Sequence, residues 1–170
     1  FAVVKTSFST GSNPAKPYIV LLACKTGNCT SASDRVPYTV YNTNENNPTR
    51  AMLLIDTSNR HLYVFTRVSY NSTSTGIYYK VSSMDNISFL SGMGMPFIQG
   101  EPYTKVNDPT STKQNVNSTT GLVVLASDAS KRTYLHNCML LSNQSSPCGG
   151  SMVTTSTPTA TPTDIATTTP

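Results

Sequence analysis

Almost every apolar segment in this chain is short, rich in β-branched and aromatic residues, and bounded by Asn, Asp, Ser, Thr, Gly or Pro. No stretch carries the 3.6-residue period of an amphipathic helix, so the chain must pair strands to satisfy its backbone. Strands are predicted near Ala2–Ser7, Tyr18–Ala23, Tyr38–Tyr41, Ala51–Asp56, His61–Arg67, Gly76–Ser82, Pro96–Gln99, Gly121–Ser127 and Arg132–Leu140. Between them, Asp56-Thr-Ser-Asn-Arg60 and Asp128-Ala-Ser-Lys131 have the chemistry of Asx turns, which predicts two hairpins.

Composition sets the class and the surroundings. Of 170 residues, 37% are hydrophobic, enough for a core, while only 12% are charged and 48 are Ser or Thr, the profile of a secreted, polar-neutral β-protein. A net charge of +4, with scattered Lys and Arg, offers no basic stripe for nucleic acid. The longest apolar run, Tyr18 to Cys24, suits a strand and is far short of a membrane span. The opening Phe1-Ala2-Val3-Val4-Lys5 reads as the inside of a strand, hence a mature or truncated product. From Ser151 to Pro170, 14 of 20 residues are Ser, Thr or Pro. Such a segment buries too little apolar surface to offset its ordering entropy. The expected organisation is therefore a folded region over 1–150 and a disordered Thr/Ser/Pro-rich linker over 151–170, leading to a downstream module.

Cys24 with Cys29 and Cys138 with Cys148 form two local pairs. Their spacings suit hairpin or loop staples better than the tight C-x2-C knuckles of a zinc site, so disulfides are expected and no metal. Five glycosylation sequons, at Asn28, Asn71, Asn86, Asn117 and Asn143, are about what this composition gives by chance.

The hairpins also repeat. Thr49-Arg50 precedes a strand, an Asp turn, a strand and Tyr78-Tyr79-Lys80; Thr112-Lys113 precedes Leu122–Leu125, Asp128 and Tyr134-Leu135-His136. The 63-residue offset is within reach of a four-stranded blade with long loops. Ala2–Ser7 and Tyr18–Ala23 then match the second and third strands of a further unit. The expectation is an all-β chain: a partial β-propeller of about two and a half four-stranded antiparallel blades, with a meandering β-sandwich as the competing architecture.

Ser83-Met84-Asp85-Asn86-Ile87-Ser88-Phe89 resembles the degenerate Asp-box of sialidase-like β-propellers. In that motif, Asp85 is expected to accept hydrogen bonds from turn amides while Phe89 plugs between neighbouring sheets. With Leu53-Leu54-Ile55-Asp56, Leu62-Tyr63-Val64-Phe65, Ile77-Tyr78-Tyr79-Lys80, Gly94-x-Pro96-Phe97-Ile98 and Ser111-Thr112-Lys113-Gln114-Asn115-Val116, residues 1–141 resemble secreted bacterial BNR-repeat propellers. Ala51 stands where a Pro usually follows the Arg, and the Asp-box lacks its Gly and Trp. The resemblance implies a fold more than an activity.

In a propeller the first strand of each blade lines the central channel, which directs attention to Arg50 and Lys113 as cations for a carboxylate or sulfate. Glycoside hydrolysis normally requires paired carboxylates or a tyrosine nucleophile. Here Asp56, Asp85 and Asp128 are assigned to turns, and Glu45 and Glu101 to loops. An enzymatic site, whether glycoside hydrolase or polysaccharide lyase, would therefore be incomplete in this chain. His136, with Tyr134 nearby, is the candidate lyase base in the last hairpin. No cofactor is expected. The leading expectation is a fragment of an extracellular, carbohydrate-directed propeller, sialidase-like or glycosidase-like, completed by upstream blades. The competing one is a non-catalytic module that binds glycans or proteins or scaffolds a surface.

Overall fold

The computed structural model describes residues 1–24, 29–100 and 104–142, together with the backbone of 153–156. Among the described residues eleven strands follow one another: β1 (Ala2–Lys5), β2 (Pro17–Cys24), β3 (Arg35–Asn42), β4 (Thr49–Asp56), β5 (His61–Ser69), β6 (Thr75–Ser83), β7 (Met95–Gln99), β8 (Val106–Thr110), β9 (Leu122–Asp128), β10 (Thr133–Met139) and β11 (Val153–Ser156). A single 3-10 turn, Ala32–Asp34, is the only helical element among the described residues. The strands form three open antiparallel meanders: a first sheet β1-β2-β3, a middle sheet β4-β5-β6-β7 and a third sheet β8-β9-β10-β11. The described residues are therefore all-β, and none of these three sheets closes on itself.

The sheets stack face to face, and the middle one is buried on both sides. Successive strand side chains point to opposite faces, so β5 divides its apolar residues between two cores. Leu62, Val64 and Val68 pack with Ile19, Leu21, Val40 and Tyr41 of the first sheet. Tyr63 and Phe65 pack with Val106, Leu122, Val124 and Leu135 of the third. Phe65 anchors the second core, its ring 5.0 Å from Phe97 in an edge-on arrangement and 5.4 Å from Tyr79. The near-continuous apolar run Leu62-Tyr63-Val64-Phe65 is what a strand covered on both faces requires.

The Asx turns form as the sequence predicts. Asp56 Oδ1 accepts the amides of Ser58 (3.0 Å) and Asn59 (3.1 Å), and Asp128 Oδ1 accepts that of Ser130 (2.9 Å). Their places in the sheets differ, however. Asp56 ends the first strand of the middle sheet, whereas Asp128 ends the second strand of the third. The 63-residue repeat is thus out of step by one strand, because β8 (Val-Asn-Asp-Pro-Thr) is too polar and proline-bearing to stand out. A bulge at the sheet edge tolerates that proline. The tail also differs from expectation at one point: Val153–Ser156, inside the segment assigned to linker, pairs with β10 through Thr133↔Ser156 to His136↔Val153. Residues 157–170 lie outside the described residues.

One buried polar knot ties the first sheet to the β6–β7 loop. Lys80 Nζ donates to the Val40 carbonyl (2.8 Å), lies 3.8 Å above the Tyr41 ring and stands 3.6 Å from Glu45 Oε1. Glu45 also accepts the amides of Asn42 (2.6 Å) and Gly92, and Tyr41 donates to the Met93 carbonyl (3.1 Å). Burial pulls the Lys80 pKa down against the opposing pull of Glu45, and burial pushes the Tyr41 phenol up. Gly94 closes the loop with φ +87°; a Cβ there would sit 2.6 Å from the Tyr79 carbonyl, so a side chain is excluded.

Candidate functional site: a cationic cluster between the heads of β4 and β8

Arg50 lies near the start of β4 at a register break between Thr49 and Met52. Its φ of +53° places a bulky residue in the left-handed region, a conformation that costs roughly 1 kcal/mol or more. Asp108 does the same on β8, with φ +50° at the break between Asn107 and Thr110. The two bulges aim their side chains at each other, with Arg50 Nε 2.5 Å from Asp108 Oδ1 and both side chains about half exposed. Ser127 Oγ on β9 donates to Asp108 Oδ2 at 3.3 Å.

A second cation stands close by. Arg67 pairs in register with Thr49, and its alternation along β5 puts it on the face turned toward the third sheet. Burial and then the charge of Arg50 lower its pKa. Its Nε is buried without a hydrogen-bond partner among the described residues, as is Asn107 Oδ1 on β8. Two guanidiniums and one carboxylate thus meet where β4, β5 and β8 converge, leaving an excess of positive charge and an unused donor.

The other expected site residues fall elsewhere. Lys113 is exposed in the β8–β9 connection, past the end of β8, so it is not the counterpart of Arg50 at a strand head. The pairing inferred from the repeat fails because β8 already supplies the first strand. Tyr134 stands across from Ser127 and His136 across from Leu125, both on the face of the third sheet turned away from the middle sheet. The structure brings Arg50 together with Asp108 and Arg67, and does not bring it together with Lys113. Asp108 and Arg67 were missed in the sequence: the first sits in an Asn-Asp-Pro run that reads as a loop, the second inside an apolar strand.

In the segment Ser83–Phe89, the Asp85 amide donates to Ser83 Oγ (3.1 Å). The Asp85 carboxylate departs from the turn-amide role expected of it: it takes the guanidinium of Arg60, from Nε at 2.9 Å and from a terminal nitrogen at 2.7 Å. That pairing lowers the Asp85 pKa. Arg60 is available because it turns back with φ +55° at the end of the Asp56 turn. Phe89, partly buried, packs against the core between the first and middle sheets.

Cys24 and Cys29 are bridged, with sulfurs 2.04 Å apart. Cys138 is also in a disulfide, and Cys148 lies outside the described residues. Among the described residues, no group of three or more His, Cys, Asp or Glu is placed to hold a metal ion, and no helix is long and apolar enough to cross a membrane. Compared with protein-family models, curated proteins and solved structures, the chain matches none.

Proposed function

We propose that the three sheets are successive blades of a secreted β-propeller, and that the chain is a glycan-directed module holding anionic sugars at the Arg50–Arg67 cluster. The observation that carries this reading is Arg50 itself, held in a left-handed bulge at the head of a first strand with a second arginine beside it. Arginine suits a planar anion because its fork matches a carboxylate or sulfate in two parallel hydrogen bonds. Three consecutive antiparallel meanders stacked face to face support the propeller geometry, in which the first strands line the channel where ligands bind.

Binding is favoured over catalysis by the state of the acids. Glu45 is locked to Lys80 and to two amides, Asp56 and Asp128 hold turns, Asp85 holds Arg60, Asp34 accepts the Ser31 amide, and Asp108 holds Arg50. No described carboxylate is left over to act as a nucleophile or a proton donor. The sialidase-like or glycosidase-like reading, with its missing groups in further blades, is the second reading and rests on the Asp-box resemblance.

The test is a glycan array with sialosides, uronate polymers and sulfated polysaccharides, run with the wild type and Arg50→Ala alongside hydrolysis assays. Retention of an anionic glycan that Arg50→Ala loses supports the binding module. Turnover would move the assignment to the enzyme, and no retention of any anionic glycan would end both.

A further inference from the structure

Of the asparagine sequons, those at Asn71, Asn86 and Asn117 fall among the described residues, while Asn28 and Asn143 lie outside them. Their number is what the composition gives by chance, but their surroundings differ. Asn71-Ser72-Thr73 stands in the turn between β5 and β6, and all of it is exposed. Asn71 Oδ1 accepts the amides of Thr73 (2.9 Å) and Ser74 (2.6 Å) and the hydroxyl of Thr73 (3.1 Å), so the sequon closes on itself as an Asx turn. These contacts are local in sequence, and the turn can form in a nascent chain before any sheet exists. Asn71 Nδ2 keeps both its hydrogens unused among the described residues, since every hydrogen bond of this side chain is made by the oxygen. The other two sequons are more tightly held. Ile87 packs on the core between the first and middle sheets, and the Ser88 amide donates to Ser82 Oγ (2.9 Å). Asn117 is half-buried, and its carbonyl accepts the Gly121 amide (2.9 Å).

Disulfides at Cys24–Cys29 and at Cys138 fit an oxidising, secretory compartment, the kind in which oligosaccharide is transferred to asparagine. We propose that Asn71 is a modification site and carries an N-linked oligosaccharide. The donor is a lipid-linked oligosaccharyl diphosphate. A bond forms between Asn71 Nδ2 and the anomeric carbon of the first sugar, the bond from that carbon to the diphosphate oxygen breaks, the lipid diphosphate leaves, and one Nδ2 proton passes to a carboxylate of the transferase. Nothing is oxidised or reduced. The product is a bulky, hydrated chain on an exposed turn, where it displaces no packed side chain. Ser69 pairs with Thr75 directly below that turn, so the attachment point is fixed at the end of the middle sheet where Thr49 pairs with Arg67. The link is covalent and stands whether or not the Arg50 cluster holds a separate glycan.

The experiment is peptide mass spectrometry after treatment with peptide N-glycosidase in water enriched in oxygen-18, on the protein from the organism that makes it and on the full chain secreted from yeast. The tryptic peptide Val68–Lys80 holds Asn71 as its only asparagine, so a labelled conversion to Asp reads this site alone. The label is expected in both preparations, and the intact mass is expected to fall on treatment. Two variants made in yeast separate the sequon from the fold. Asn71→Asp keeps an oxygen for the Thr73 and Ser74 amides but has no nitrogen to modify, and Thr73→Val keeps Asn71 but removes the hydroxyl that the transferase requires. Both are expected to keep the wild-type circular dichroism; Asn71→Asp should show a smaller drop in intact mass than the wild type, and Thr73→Val should lose the label. An unlabelled Val68–Lys80 peptide in the protein from its own source overturns the proposal. So does a label that survives Thr73→Val, or a mass on this peptide that the glycosidase does not remove, which would belong to a Ser or Thr hydroxyl instead.

Discussion

Arg50 and Asp108 meet as a pair of left-handed residues, φ +53° and +50°, on the first strands of neighbouring sheets, with guanidinium and carboxylate 2.5 Å apart. An exposed ion pair contributes about 1 kcal/mol or less, which does not outweigh two unfavourable backbone conformations. The arrangement is better explained by what Arg50 does than by what the pair adds to stability. In the proposed function, Asp108 occupies the place of the ligand's own anion.

Asp108→Asn should therefore tighten retention of an anionic glycan, because the incoming group no longer competes with a tethered carboxylate. Titration calorimetry on the best array hit measures it, with an expected gain of several-fold. An unchanged or weaker affinity would count against the competition. Thermal stability should change little, because the pair is about half exposed.

Lys80→Met should be costly for a different reason. It removes the cation that faces Glu45 in a buried setting where both side chains are nearly inaccessible, leaving a carboxylate without its counterion. A loss of about 3–5 kcal/mol is expected from urea unfolding. Combining it with Glu45→Gln should recover part of that loss, and a double variant as unstable as the sum of the singles would contradict the pairing.

Asp56→Ala should loosen the β4–β5 hairpin by about 1–3 kcal/mol, since two turn amides and the Asn59 side chain lose their acceptor. Asp56→Asn keeps an acceptor for the amides and should cost less. Equal urea midpoints for the two variants would rule out the turn as the origin of the effect.

Alkaline pH should destabilise the fold through its tyrosines. Burial pushes Tyr63 up to about 12 and raises Tyr41, Tyr78 and Tyr79 from the ordinary value near 10. A folded pKa above the unfolded one means that the unfolded chain releases protons first. Their contribution is fully present below pH 10 and declines as pH climbs toward the folded values. Lys80, with its pKa lowered, acts in the opposite sense: its burial penalty eases as pH rises. The tyrosines outnumber it, so the urea midpoint should fall between pH 9 and about 11.5; a flat or rising midpoint would contradict this.

The strands that could be read in the sequence were those whose side chains meet a core, because burial on a sheet face imposes an alternating or continuous apolar pattern. β5 and β6 are of this kind. β8 and β11 were missed because they are held by backbone pairing at a sheet edge with polar side chains, so no local pattern marks them. The same distinction governs the site. Arg50 was legible from its place ahead of an apolar strand, whereas its partners come from elsewhere in the chain: Asp108 from a segment resembling a loop, and Arg67 from a strand whose other residues suggest only core. Lys113 was misplaced with the strand that hid β8.

The double coverage of the middle sheet has a consequence for how the molecule opens. β5 is shared by both apolar layers, so the loss of either end sheet still leaves one of its faces packed. Opening should then proceed from the ends of the stack inward, as in arrays whose units hold only to their neighbours. Amide deuteration would be slowest along Leu62–Phe65 and fastest in β1 and β8, which makes the middle sheet the slow clock of the whole chain.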